Sequence, residues 1–203
     1  MQKLLCVLIG YLCGCVLVSD MVARKLARTS AFELGDGNPG MANVGHVLGS
    51  KAAILCLLGD VLKTVVAVVA CSLAFPQLGA ATTPWAGLGA TLGHIFPFWH
   101  GFKGGKGVAT IASTIILMNP LWGILAGIVG FLSIVITGYL SAAAVIAMAF
   151  YTVVMLVQGA FDPIVVSLAF LALTVFAHGS KLVGIANGTT RRAGLANKFR
   201  HKK

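Results

Sequence analysis

The strongest constraint on this chain is a series of long apolar runs with almost no charge inside them. Seven runs occupy roughly residues 4–22, 52–74, 85–99, 108–118, 121–137, 140–157 and 164–178 of the 203. Hydrocarbon offers no water to backbone N–H and C=O groups, so runs of this kind must satisfy them internally, as helices. Hydrophobic residues make up 58% of the chain and charged residues 10%, whereas a soluble domain carries roughly 25% charged residues. The composition therefore argues against a soluble domain. Several runs fall short of the ~20 residues of a full helical crossing, which predicts tilted helices or elements that do not cross completely. The expected fold is all-α, a polytopic membrane bundle of seven spans. It forms a single domain over residues 1–203, with a basic tail at about 179–203.

Charge sets the expected orientation. Fifteen Lys and Arg oppose five Asp and Glu, for a net charge of +10. Arg24, Lys25, Arg28 and Lys51 lie in or beside the first loop, Lys103 and Lys106 lie in the third, and the stretch from Lys181 onward is strongly basic. Loops two, four and six, around Pro76–Pro84, Asn119–Pro120 and Gln158–Pro163, contain no Lys or Arg. Basic residues accumulate on the cytoplasmic side, so the odd loops and the tail are expected there and the N-terminus outside. Lys3 is a single charge against many. Fusing 108–118 with 121–137 would put the tail outside, which the charge bias disfavours. The tail suits anionic lipid headgroups better than nucleic acid, and no nucleic-acid partner is expected.

The first run imitates a signal peptide, but it has no small-x-small cleavage site and ends at Asp20. It reads as a retained span. The five cysteines, at 6, 13, 15, 56 and 71, sit in apolar stretches without metal-ligand spacing. They read as small buried hydrophobes, and no metal is expected. Gly10, Gly14, Gly123, Gly127, Gly130 and Ala142–Ala144 are small residues that allow close helix packing in lipid.

Four polar constellations fall on the expected cytoplasmic side. GDGNPGMANVGH, residues 35–46, supplies Asp36, Asn38, Asn43 and His46. GHIFPFWHGFKGGKGVAT, residues 93–110, places two lysines, two histidines and five glycines between apolar runs. Glycine lets backbone N–H groups approach a ligand, and lysine adds charge, so this stretch suits an anion and above all a phosphate. It is no Walker motif, because Gly107 rather than Ser or Thr follows Lys106. The third constellation is Gly138, Tyr139 and Ser141, and the fourth is His178 with Lys181. A histidine at a helix end is more often a cap than a catalyst. Asp60 and Lys63, three apart on one face of the second span, are expected to form a structural pair that orients groups of loop one or loop three.

Taken together and in order, YLCG at 11–14, GNPGxxNV at 37–44, DVLK at 60–63, GH at 93–94, FKGGKGVAT at 102–110, GYxS at 138–141 and His178 resemble the acyl-phosphate-dependent glycerol-3-phosphate acyltransferases of bacterial membranes, the PlsY family. The resemblance implies a seven-span enzyme of the cell membrane, with its active site facing the cytoplasm. Such an enzyme moves a fatty acyl group from acyl phosphate to the 1-hydroxyl of glycerol 3-phosphate, giving lysophosphatidic acid and phosphate in phospholipid synthesis. No cofactor, metal, coenzyme A or acyl carrier protein is implied, nor any obligate protein partner; the partners are the two small substrates and the bilayer.

Carried onto this chain, the resemblance makes Asp36, Lys106 and His178 the candidate catalytic residues. The candidate substrate-binding residues are Asn38, Asn43, His46, Lys103, Gly104, Gly105, Ser141 and Lys181. Three of these positions depart from the family pattern. Asp36 stands where a serine is usual, His46 where an arginine is usual, and Lys181 where an asparagine is usual. Losing the arginine removes a forked cation suited to phosphate, and a carboxylate repels phosphate at contact distance. Either the changes compensate, with Asp36 within reach of Lys181, Lys106 or His46, or the donor is kept and the acceptor is another small polar molecule. Asp36 as a general base is a further option. A non-catalytic binder or transporter of phospholipid or small anions is the rival from another class, although a transporter is expected to carry polar groups near the midplane.

Overall fold

The computed structural model describes residues 1–190 and 192, so 191 and 193–203 of the basic tail lie outside the described residues. All nine longer elements among them are α-helices. These are α1 (Gln2–Gly14), α2 (Val18–Ala27), α3 (Met41–Leu48), α4 (Ser50–Ala74), α5 (Thr82–Ile95), α6 (Val108–Met118), α7 (Pro120–Thr137), α8 (Leu140–Gln158) and α9 (Phe161–Ala186). Short 3₁₀ turns occupy Ala31–Glu33, Pro76–Ala81 and Phe98–His100.

Five helical stretches are long and apolar enough to cross a membrane: Gln2–Ala27, Ser50–Ala74, Pro120–Thr137, Leu140–Gln158 and Phe161–Ala186. The other two expected spans are the short ones. The run 108–118 coincides with α6, which has 11 residues. The run 85–99 becomes a helix of 14 residues that starts earlier and stops at Ile95. Phe96 leaves helical geometry, with φ −126° and ψ 58°, because the following Pro97 disfavours the α region for the residue before it. The first run is also not one rod. It breaks after Cys15, and Leu17 at φ −90° and ψ 89° restarts the chain as α2.

The described chain forms two compact units, residues 1–114 and the part from 115 onward. In the first unit α1 packs on α5 with backbone touching backbone. A Cβ on Gly10 would strike the Ala86 carbonyl oxygen, and one on Gly14 the Ala90 carbonyl oxygen. From the other side, a Cβ on Gly89 would meet the Val7 carbonyl and one on Gly93 the Tyr11 carbonyl. Small residues at such a crossing bring dispersion contacts that lipid cannot supply.

Helix α4 shows how a lipid-facing helix inverts the soluble pattern. Leu55, Leu58, Leu62, Val66, Val69 and Leu73, three or four residues apart, are exposed. The opposite stripe, Ala52, Cys56, Asp60, Lys63, Thr64, Ala67 and Cys71, is small or polar and buried. Cys6, Cys15, Cys56 and Cys71 are buried and Cys13 is partly so, which agrees with the packing role expected of them.

In the second unit α8 packs against both α7 and α9. Gly138 (φ 80°) and Gly159 (φ 74°) close α7 and α8 in the left-handed conformation, which glycine adopts without steric cost. Gly123 lies against the Ile116 backbone and Gly130 against Ala147. Gly127 meets nothing within 4 Å, so this glycine does not pack a neighbouring helix as its small size had suggested. Buried hydroxyls close locally on helical carbonyls: Thr152 donates to Met148 O at 2.8 Å and Thr174 to Phe170 O at 2.7 Å.

Candidate active site

Loop one is built around two buried side chains. The first is Asp20, which no sequence motif singled out. Its Oδ1 accepts from the Ser30 hydroxyl at 2.6 Å and the Ala31 N–H at 2.9 Å, and its Oδ2 accepts from Arg24 Nε at 2.8 Å. It ties the start of the loop to α2. The available signal was a carboxylate closing an apolar run, four residues before an arginine. Ser30 then caps the 3₁₀ turn in a capping box with Glu33. The Thr29 hydroxyl and the Ser30 N–H hold the exposed Glu33 carboxyl below its usual range.

The second anchor is Asn43, on α3. Its Nδ2 donates to Leu34 O at 2.8 Å and Asn38 O at 3.0 Å, and its Oδ1 accepts from the Asp36 N–H at 3.0 Å. Both amide protons are therefore committed to the loop's own backbone. Gly35 (φ 53°) and Gly37 (φ 74°) supply the left-handed turns, and a Cβ on Gly35 would strike Asn43 Oδ1. Asp36 is exposed, and its Oδ1 accepts from the Asn38 N–H at 3.2 Å. Ser19 of α2 donates to Pro39 O at 2.6 Å. Asn38 is partly buried, and His46 is exposed in the last turn of α3.

Loop three starts where α5 ends. Gly101 (φ 60°) and Phe102 (φ 59°) both take left-handed geometry, an unfavourable state for phenylalanine that tends to persist only where surrounding contacts impose it. Here the Phe102 N–H donates to Pro97 O at 3.0 Å and the Lys103 N–H to His100 O at 3.2 Å. Gly105 turns back onto α5, donating its N–H to His94 O at 3.0 Å. A Cβ on Gly104 would run into that carbonyl, and one on Gly105 into the His94 ring at Nε2. Both glycines are sterically required. Gly107 (φ 74°) releases the chain into α6, and Thr110 fastens the turn by donating to Gly107 O at 2.9 Å. Lys103 is exposed and Lys106 is partly buried. Loops one and three meet where the Phe32 and His100 rings lie 5.2 Å apart between centroids.

Below loop three, Asp60 and Lys63 pair as expected, with Lys63 Nζ 2.8 Å from Asp60 Oδ1. Sequence reasoning missed the third member, His94, whose Nδ1 lies 2.7 Å from Lys63 Nζ. The GH motif was visible, but its partner is 31 residues away.

The second unit carries the remaining candidates. The Thr137 hydroxyl accepts from the Tyr139 N–H at 3.1 Å, which shapes the turn before buried Ser141. His178 is buried in α9, and its Nδ1 lies 3.0 Å from the Thr174 carbonyl oxygen. A carbonyl only accepts, so Nδ1 carries a proton. Lys181 is exposed one turn further on.

Sequence, fold and local geometry together define an all-helical integral membrane protein whose candidate chemistry rests on a glycine–lysine turn, an asparagine-centred loop and a buried histidine. Residues 4–188 match the family model described as "Glycerol-3-phosphate acyltransferase". Relatives named glycerol-3-phosphate acyltransferase include one from Halorhodospira halophila, 36% identical over 96% of this chain and 98% of its own length. Another, from Halalkalibacterium halodurans, is 32% identical over 91% and 92%. Among solved structures, the glycerol 3-phosphate form of PlsY, an integral membrane glycerol 3-phosphate acyltransferase, superposes with a TM-score of 0.85 at 26% identity, covering 98% of this chain and 99% of that one. Its lysophosphatidic acid form superposes with a TM-score of 0.83. The chain belongs to the glycerol-3-phosphate acyltransferase family, and it is a membrane acyltransferase.

Proposed function

We propose that this enzyme transfers a fatty acyl group from acyl phosphate to the 1-hydroxyl of glycerol 3-phosphate. The reaction takes place at the cytoplasmic face of a cell membrane that the chain crosses seven times. The observation that carries this reading is the family match over residues 4–188, which spans every candidate residue from Asp36 to Lys181.

An acyl phosphate is a mixed anhydride and needs no further activation. The acceptor hydroxyl oxygen attacks the acyl carbon, the new ester C–O bond forms, and the bond to the phosphate oxygen breaks. The phosphate leaves with the electron pair. The enzyme must hold two anionic reactants together and stabilise charge building on oxygen. Lys103 and Lys106, with the Gly104 backbone, supply positive potential for phosphate. Gly105 acts through its missing side chain, since its N–H already serves His94. Asn43 acts by shaping loop one, and Asn38 presents its side chain from that loop. Nδ1 of His178 is committed to the Thr174 carbonyl, and Nε2 is the nitrogen assigned to take the acceptor proton. Ser141 and Lys181 bind the acceptor. Asp36 orients Lys106 or His46.

Purified protein given palmitoyl phosphate should release phosphate only when glycerol 3-phosphate is added, with lysophosphatidic acid formed in equal amount. Release independent of acceptor, or flux of phosphate into vesicles without release, would refute the reading. The departures at Asp36, His46 and Lys181 favour one second reading, in which the donor is unchanged and the acceptor is a different small polar molecule. A screen of glycerol, dihydroxyacetone phosphate and glycerol 3-phosphate separates the two.

A further inference from the structure

Three buried polar side chains of the first unit take no part in the chemistry above. Asp60, Lys63 and His94 are 3%, 7% and 3% exposed. Lys63 Nζ lies 2.8 Å from Asp60 Oδ1, 2.7 Å from His94 Nδ1 and 3.0 Å from the Val16 carbonyl oxygen. An ammonium has three protons and no lone pair, so it meets each of these atoms only as a donor. Nδ1 of His94 lies nearer to Lys63 Nζ than to Asp60 Oδ1, 2.7 against 3.3 Å, which favours Nδ1 as an acceptor from Lys63 with the ring proton on Nε2. The cluster contains one anion, one cation and one neutral ring. Such a balanced group is tolerated in an apolar interior, where either charge alone would not be.

The contacts of this cluster reach the substrate-facing turn. The Val16 carbonyl lies at the break between α1 and α2, where no helical N–H follows to take it, and Lys63 does so instead. On the other side, the His94 ring presents Nε2 to Gly105, and the His94 carbonyl accepts the Gly105 N–H at 3.0 Å. One lysine therefore couples the α1–α2 break, α4 and the end of α5 to the backbone of Gly105, next to Lys106.

We propose that Lys63 and Asp60 are positioning residues for the glycine–lysine turn. They lock His94 as its Nε2–H tautomer, and His94 seats Gly104 and Gly105 so that Lys106 and the turn's backbone meet a phosphate in a fixed place. The kinetic consequence rests on the function proposed above; the tautomer and the seating of the turn do not.

The first test is nitrogen-15 NMR of histidine-labelled protein in micelles, with the His94 signals assigned by their loss in His94→Asn. The Nε2–H tautomer is expected at neutral pH. An Nδ1–H tautomer, or an imidazolium, in the wild-type protein overturns the proposal. The second test compares wild type with the charge-balanced double variant Asp60→Asn/Lys63→Met. The Gly105 amide should exchange with solvent about tenfold faster, and KM for a phosphorylated substrate should rise about 10- to 100-fold while kcat moves far less, as expected when a binding contact made equally in ground and transition state loses its support. An unchanged Gly105 exchange rate, or a fall in kcat with KM constant, overturns it. A wild-type enzyme inactive on glycerol 3-phosphate refutes the proposed reaction and leaves the tautomer and exchange outcomes to be judged alone.

Discussion

Asn43 and His178 are both buried polar residues, yet their hydrogen bonds lead to different expectations. Asn43 uses both amide protons and its carbonyl oxygen on loop-one backbone. Asn43→Ala should therefore unfold the loop rather than remove a ligand contact. Each lost bond is worth roughly 0.5–1.5 kcal/mol, with more where a buried carbonyl is left unpaired. The expected result is a lower thermal midpoint together with higher KM values, read by a melting assay and steady-state kinetics. His178 holds the Thr174 carbonyl through Nδ1, and the proposed reaction gives it the role of base. His178→Ala should lower kcat by about 10²–10⁴-fold, the usual contribution of a general base, in protein that is still folded at the assay temperature. Asp36→Ser, which restores the side chain usual in the family, tests the acceptor. Increased turnover of glycerol 3-phosphate would show that the carboxylate is not the base.

At the scale of elements, the α1–α5 crossing and the outer face of α7 make opposite predictions for the same residue type. Gly14 sits where any Cβ meets the Ala90 carbonyl, so Gly14→Val must push two helices apart. Overpacking of this kind costs about 1–3 kcal/mol or more. Gly127 faces open space, and Gly127→Ala should be neutral or stabilising by up to about 1 kcal/mol through helix propensity. Thermal unfolding of both variants in one detergent decides the comparison. The GxxxG-like spacing of Gly10 and Gly14 announced a close crossing. Its partners, Gly89 and Gly93, could not be paired with them from the sequence, because they lie some eighty residues downstream in another helix and spacing within one helix says nothing about which neighbour it meets.

For the whole molecule, the basic loops and tail predict termini on opposite sides of the membrane. A tag fused at the C-terminus should be cleaved by protease only in inside-out vesicles, and one at the N-terminus only in intact spheroplasts. Cleavage of both from one side would mean an even number of crossings. Five helical stretches are long enough to cross on length alone, so the odd count depends on α5 and α6 inserting as short spans. Helix α5 carries buried threonines and glycines, and α6 carries buried Thr110, Ser113 and Thr114, rather than a continuous apolar coat. That suits helices sheltered by protein.

The helical class, the membrane setting and the polar motifs were legible in the sequence, because hydrocarbon forces backbone to satisfy itself locally and so writes helices as uninterrupted apolar runs. The tertiary structure decided what those motifs do. It gave Asn43 to the loop's own backbone, brought Asp20 in as a second anchor, joined His94 to Lys63, and turned the Gly105 amide inward. Each of these depends on which buried donor finds which acceptor in a medium without water, and that pairing exists only once the helices have packed.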